Sequence, residues 1–348
     1  MKQTKLGQSN VHVSAMTVGC WAFGGGEYWG AQSQQDVDTV VHSALDHGVN
    51  TFDTAEVYNA GESERSLGLA LKGRRDRAVI ISKIAPSNCH DVRKHCLASL
   101  QRLGTDYLDV YMLHWPINKL SVEHFTHDTT HDTTTPTIES AYAQLAELKS
   151  EGRIRAIGMS NFGRRQMQEV AATGVPVDVN ELTYNIISRA IEAEIVPYCT
   201  QNQISIIGSM GLQQGVLSGK YRTPGEIRPH QAHSRHFPEH RGKGTSRHGE
   251  PGAETEVFQV VSQLREIAAR LRIETAQLAI AWILKKSFIA STLVGSRNLE
   301  TLKSNIAACE LQIPDEIEAE IDRLSQPVLA LLGNSPDYYE HSSKSRIY

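Results

Sequence analysis

A carboxylate, a phenol, an ammonium and an imidazole follow one another early in the chain: Asp53 and Tyr58 in "FDTAEVY", Lys83 in "ISKI" and His114 in "MLHWP". A lysine flanked by Ile81 and Ile84 must reach the surface, be paired, or shift in proton affinity, because an unpaired buried ammonium is too costly. Asp53 could supply the pairing charge. An ammonium beside a phenol stabilises phenolate and lowers its pKa, which makes Tyr58 a candidate general acid. His114 could hydrogen-bond a carbonyl oxygen and polarise it as charge develops during reduction. Taken singly, Asp53 reads as a loop cap, Tyr58 as packing and His114 as a satisfied core group, whereas Lys83 resists so plain a reading.

The elements that must bring these residues together are legible as periodicity. Short apolar runs recur at 16–21, 49–55, 78–84, 108–115, 154–161, 177–184, 204–210 and 291–296. They are apolar on both faces, as parallel strands buried between a core and covering helices must be. Between them, 34–47 carries Val37, Val40, Val41, Ala44 and Leu45 at helical spacing and stops at Gly48. The stretches 90–103, 137–151, 163–173, 192–203 and 298–308 read the same way.

Alternation of this kind, with no compositional break, predicts one domain over 1–348 folded as an α/β (β/α)₈ TIM barrel rather than a doubly wound sheet. "FGGGEYWG" has glycines but opens no helix, so the dinucleotide fingerprint is absent. In a barrel the loops after the strands form one face, where polar strand ends converge. The polar, turn-rich stretches 117–135 and 222–252 predict long loops after strands four and seven.

Of 348 residues, 40% are hydrophobic and 21% charged, and the net charge of −4 suits neither nucleic acid nor an anionic membrane. Cys20, Cys89, Cys96, Cys199 and Cys309 are odd in number and contain no C-x-x-C, which argues against a disulfide framework or a zinc site. No run reaches membrane-spanning length, and the start lacks a signal-length apolar run. The expectation is a cytoplasmic protein with a small-molecule partner; its oligomeric state is left open.

Together, "FDTAEVYNAGESERSLGLAL", "ISKI", "YLDVYMLHWP", "IRAIGMSNF" and "YNIISR" resemble the aldo-keto reductase family, in order and over nearly the whole chain. The resemblance implies a barrel with an N-terminal β-hairpin cap that transfers hydride between a nicotinamide cofactor and a carbonyl carbon. It also implies Tyr58 as proton donor, Lys83 and Asp53 as the pair tuning it, and His114 as the orienting group. Cys20 and Trp21 match positions lining the site, and Ser160 and Asn161 match the pair that holds the nicotinamide amide. Gly211, Leu212, Gly215 and Lys220 match a cofactor-contacting loop, with Lys220 in reach of a pyrophosphate. Gly295, Ser296, Arg297, Thr301 and Asn305 match the adenosine end, where Arg297 could meet a 2′-phosphate. NADP(H) is therefore expected over NAD(H).

Three positions depart from the family pattern. Glu181 stands where glutamine is usual, and an ionised glutamate can only accept hydrogen bonds. Ser209 or its neighbour replaces the aromatic that stacks on nicotinamide, leaving Met210 to cover the ring. Thr301 is shorter than its usual counterpart.

His230, His233, His236 and His240 tempt a metal reading, but Pro229, Pro238 and Gly242 make a continuous helix unsuitable and no metal is expected. The same holds for His124, His127 and His131. The locally basic 222–252 segment reads either as a mobile flap over cofactor or substrate or, as the plainer expectation, as a flexible solvated loop. Trp21, Tyr58, Trp115 and "NSPDYYEHSS" are expected to line a pocket for an aldehyde, ketone, sugar or polyol. Two rivals are a cofactor-sensing subunit resembling potassium-channel β subunits and a Schiff-base aldolase using Lys83 as nucleophile.

Overall fold

The computed structural model describes residues 1–126 and 136–348. A two-stranded antiparallel hairpin comes first, β1 (Gln3–Lys5) and β2 (His12–Ser14), in the register Gln3↔Ser14. The apolar runs then become β3 (Met16–Gly19), β4 (Thr51–Asp53), β5 (Val79–Ile84), β6 (Leu108–Leu113), β7 (Ile154–Ser160), β8 (Val179–Thr183), β9 (Ser205–Ser209) and β10 (Ile289–Gly295). These pair in parallel and close into a barrel in the order β10-β3-β4-β5-β6-β7-β8-β9.

The covering helices are α1 (Gln34–Asp46), α2 (Glu62–Ala70), α3 (Val92–Leu103), α4 (Lys119–Thr126), α5 (Ile138–Ser150) and α6 (Arg164–Ala172). They continue with α7 (Ile195–Gln201), α8 (Glu254–Leu271), α9 (Thr275–Lys285), α10 (Leu299–Ala308) and α11 (Asp315–Leu332). α1 buries the five residues whose spacing predicts it and starts at Ser33, whose side chain accepts from the Asp36 N–H. α2, α4, α8, α9 and α11 lie outside the stretches predicted as helix. Gly68 lets α2 approach α3 closely, since a Cβ there would collide with the Leu103 carbonyl.

Leu6, Val11 and Val13 of the hairpin are buried with Ile81, Val110, Met112, Ala156, Val179 and Ile207 from inside the barrel. Gly7 N–H donates to Ser205 Oγ and Ser14 N–H to Asn50 Oδ1, at the starts of β9 and β4. The hairpin therefore stoppers the N-terminal end, leaving the C-terminal end for chemistry.

Register then aims the polar residues. Asp53 pairs opposite Ile81, so Lys83, two residues further along β5, points the same way into the barrel. Ser160 pairs opposite Glu181, and Thr183 opposite Ser209. Among the described residues no helix is long and apolar enough to cross a membrane, and the five cysteines are free.

Candidate active site

Asp53 ends β4, Lys83 lies one residue before the end of β5, and His114 directly follows β6, its N–H on the Ile84 carbonyl at 2.9 Å. Tyr58 heads a turn through Asn59 (φ 49°), Ala60 (φ 53°) and Gly61 (φ 90°). For the two non-glycine residues this left-handed backbone costs about 1–3 kcal/mol each. Asn59 holds the turn by donating from Nδ2 to the Trp21 and Phe23 carbonyls at 3.0 and 2.8 Å. Asn161, Met210, Gln213 and Gln214 share the left-handed conformation, all around the same mouth.

Lys83 Nζ lies 2.5 Å from both Asp53 oxygens, 3.2 Å from the Thr54 carbonyl and 3.5 Å from Glu181 Oε1. Tyr58 OH is 3.5 Å from Lys83 Nζ and 3.5 Å from His114 Nε2. Such lengths exceed ordinary hydrogen bonds, so the phenol faces both groups without being committed to either.

The charges follow from burial and neighbours. Burial works against the Lys83 ammonium, yet Asp53 and then Glu181 hold its pKa above the ordinary value. Burial raises Asp53, opposed by Lys83, and pushes Glu181 up to about 8 with Asp53 adding to the rise. Burial, with Lys83 and His124, holds His114 well below the usual imidazole range, so its ring is neutral. Tyr58 departs from expectation: burial raises its pKa, Lys83 offsets only part, and Asp53 and Glu181 raise it again. The expected lowering fails chiefly because burial outweighs the lysine, whose field also answers Asp53. Tyr58 is therefore a fully protonated donor at neutral pH.

Asp53, Tyr58, His114 and Glu181 line a cavity of ≈ 380 Å³ walled by Trp21, Tyr28, Trp115, Phe125, His233, Arg247, Tyr338 and Tyr339, with Lys83 fully buried behind them. A groove of ≈ 400 Å³ adjoins it. Gly19, Trp21, Met210 and Leu293 belong to both, so the two are continuous. Ser160, Asn161, Glu181 and Ser209 face the cavity. Gly211, Leu212, Gly215, Lys220, Gly295, Arg297 and Thr301 face the groove.

Three expected site residues stand behind these walls instead. Cys20 is fully buried, its N–H on the Asp53 carbonyl at 2.8 Å. Ser296 and Asn305 are buried against each other, Asn305 Nδ2 donating to Ser296 Oγ at 3.0 Å. Arg297 lines the groove but is largely engaged: Nε donates to Gln32 Oε1 at 2.9 Å, and Nη1 and Nη2 donate to the Trp29 and Ala31 carbonyls at 2.6 Å. Of its five donors, three thus tie down the loop 22–32.

That loop is what sequence reasoning missed. Tyr28 OH donates to Gln214 Oε1 at 2.6 Å, and Tyr28 and Trp29 stack around Trp21 to form a shared wall. The adjacent aromatics in "GGGEYWG" were the available signal; the glycines give the chain its turns.

The 222–252 segment covers the cavity through His233 and Arg247, but it is packed rather than a mobile flap. Ile227, Ala232 and Phe237 join the main core. His236 is buried on Ser188 Oγ and the Ile187 carbonyl, and Arg235 is held by Glu250 and the Leu332 and Ser335 carbonyls. Among the described residues no three His, Cys, Asp or Glu side chains are placed to hold a metal ion. His127 and His131 lie outside the described residues. In the tail, Tyr338 and Tyr339 reach the cavity, whereas Asp337 is turned into a buried bidentate pair with Arg346, which lies over the Trp115 ring.

Comparison with known proteins agrees with this architecture. The Aldo/keto reductase family matches residues 15–326. The chain is 32% identical to the NADH-specific methylglyoxal reductase of Escherichia coli (strain K12), covering 90% of this chain and 95% of that one. It is 29% identical to a probable voltage-gated potassium channel subunit beta of Arabidopsis thaliana, covering 94% and 97%. An aldo/keto reductase from Klebsiella pneumoniae solved with NADP and acetate superposes with a TM-score of 0.68 at 26% identity, covering 92% and 95%. The barrel, its stoppered end and the match along most of its length make this chain a member of the aldo/keto reductase family of NAD(P)-dependent oxidoreductases.

Proposed function

We propose that this enzyme reduces a small hydroxylated aldehyde, ketone or sugar carbonyl, with Tyr58 delivering the proton. The observation that carries this reading is the convergence of Lys83 and His114 on the Tyr58 hydroxyl, where a substrate cavity opens into a glycine-lined groove.

The groove suits an extended dinucleotide. Gly295 leaves open space where a side chain would project, Lys220 brings a cation over Gly215, and Trp21 and Trp29 offer flat apolar faces. Buried Gln214 Nε2 and Trp29 Nε1 lack partners and could serve a ligand. When bound, a reduced nicotinamide supplies the hydride. Asn161 Nδ2 donates to Ser160 Oγ and the His114 carbonyl, so its own carbonyl oxygen is the end left for an amide. Met210, at the junction, is the flexible apolar cover over that position. His114, with its proton on Nε2, orients the substrate carbonyl oxygen, and Tyr58 gives that oxygen its proton. Lys83, held as an ammonium above all by Asp53, is poorly suited to act as an amine nucleophile.

NADP(H) is favoured over NAD(H) through Lys220 and the two donors left on Arg297, and the preference is expected to be small because the other three serve the loop. Tyr28, His233, Arg247 and Tyr339 give the cavity aromatic faces with polar tips, which suits a sugar or polyol. Unpaired cysteines accord with a reducing cytoplasm.

The test is nicotinamide absorbance with NADH and NADPH against a panel of short aldehydes, 2-oxoaldehydes and sugars. Tyr58→Phe is expected to lower turnover by about 10²–10⁴-fold while cofactor binding persists. Undiminished reduction by that variant sinks the mechanism. The channel-subunit relative motivates a second reading, a cofactor-sensing binding subunit; tight cofactor binding with no turnover across the panel would favour it.

A further inference from the structure

Lys83 is one cation facing two buried carboxylates. Asp53 sets both oxygens at 2.5 Å from Nζ, whereas Glu181 brings only Oε1, at 3.5 Å, and its Oε2 has no partner. Both carboxyls are almost fully buried, at 1% and 5% exposure. Two anions against one ammonium in such a place leave a buried charge uncompensated, which a proton removes at far lower cost. The proton belongs on the carboxyl that the ammonium holds less closely, and that is Glu181.

We propose that Glu181 is a positioning residue acting as a neutral carboxylic acid, which donates to Asp53 so that Lys83 answers one negative charge and directs its remaining field at Tyr58. The inference rests on Tyr58 being the proton donor. It also accounts for an acid at a position whose usual glutamine donates: a protonated glutamic acid can donate too. The surroundings isolate the effect. Asp53 on β4, Lys83 on β5 and Tyr58 beyond β4 are the titratable groups among the described residues that act on or feel Glu181, His114 after β6 lines the same cavity, and neighbouring β7 and β9 present the neutral Ser160 and Ser209. His233 and Arg247 stand on the wall of the cavity formed by the 222–252 segment.

Loss of the Glu181 proton restores the second carboxylate and makes Tyr58 a weaker acid. A like charge at this range shifts a neighbour by about one pKa unit or more, so reduction should slow roughly tenfold as Glu181 ionises. The wild-type kcat profile is expected to fall through about pH 8. Glu181→Gln, which keeps the shape and cannot ionise, is expected to lose that limb, whatever its rate at neutral pH. A Glu181→Gln profile with the same alkaline fall overturns the proposal.

A second readout needs neither turnover nor a variant. With glutamate carboxyl carbons labelled with ¹³C, the wild-type protein is expected to show one glutamate resonance titrating near pH 8. If every glutamate titrates in the ordinary acid range, the proposal is wrong even if the enzyme is an active reductase. If no carbonyl is reduced but that resonance is present, the reductase reading fails and the charge state of Glu181 stands.

Discussion

Tyr58 is held between an ammonium and a neutral imidazole, 3.5 Å from each. Lys83 is the residue most exposed to test, because its removal leaves Asp53 and Glu181 facing each other. Lys83→Met is expected to destabilise the protein by roughly 3–5 kcal/mol in urea unfolding at neutral pH. The loss should be smaller in acid, where both carboxyls accept protons, and an equal loss at pH 5 and pH 8 would contradict the arrangement. The four residues at this centre could be picked out in the sequence, but their types alone left plain readings open, and the roles expected of them came from the family resemblance. The direction of the Tyr58 shift was not legible, since it depends on how deeply barrel and loops bury the phenol and on how many carboxylates share the lysine. Cys20, Ser296 and Asn305, expected at the site from the family resemblance, stand behind its walls here, because a matching position does not fix which side of a wall a side chain takes.

Loops set the ligand-facing surfaces. Arg297 binds the loop 22–32 through three donors and thereby holds Trp29 over the groove. Charged hydrogen bonds of this kind contribute about 1.5–3 kcal/mol each. Arg297→Met is accordingly expected to raise KM for NADH and NADPH alike, by about tenfold or more, because the groove loses its wall. A rise confined to NADPH would instead assign the arginine to a 2′-phosphate. The 222–252 segment carries a pH dependence of its own. Burial lowers His233 and His236 from 6.5 to about 4, so both are neutral in the folded protein. Their contribution is complete above about pH 6.5 and is lost as the pH falls towards 4, because the unfolded segment then binds protons the folded one resists. Limited proteolysis is expected to cut 222–252 increasingly across that window, and resistance unchanged down to pH 4.5 would count against it. Legibility varied among the helices as well. α8 was not among the predicted helices, although Val257, Val260, Val261, Leu264, Ile267 and Ala268 stand at helical spacing. α9 buries Leu278 through Ile283 without interruption, so no polar face marks its period, and α11 carries Pro327 inside it.

At the scale of the whole molecule, hairpin and barrel share one interior. Leu6 is fully buried in the cluster that includes Ile81, Val110 and Val179. Leu6→Ala is therefore expected to cost about 2–5 kcal/mol and to lower the stability of the barrel in a single cooperative transition. Separate melting of the hairpin, with the barrel unaffected, would show that it is only an attached cap. The barrel class could be read from the alternation of buried runs; the hairpin's grip on the interior could not, because three-residue strands carry too little pattern.

The stopper has a kinetic consequence. A barrel closed at one end has a single doorway, and here the groove and the cavity meet at Gly19, Trp21, Met210 and Leu293. Two ligands that use one doorway and touch at its threshold must take turns, and the one that reaches deeper into the junction arrives first and departs last. Release of the spent cofactor, with the loop tethered by Arg297 standing over its path, is then the step expected to set the pace of the cycle.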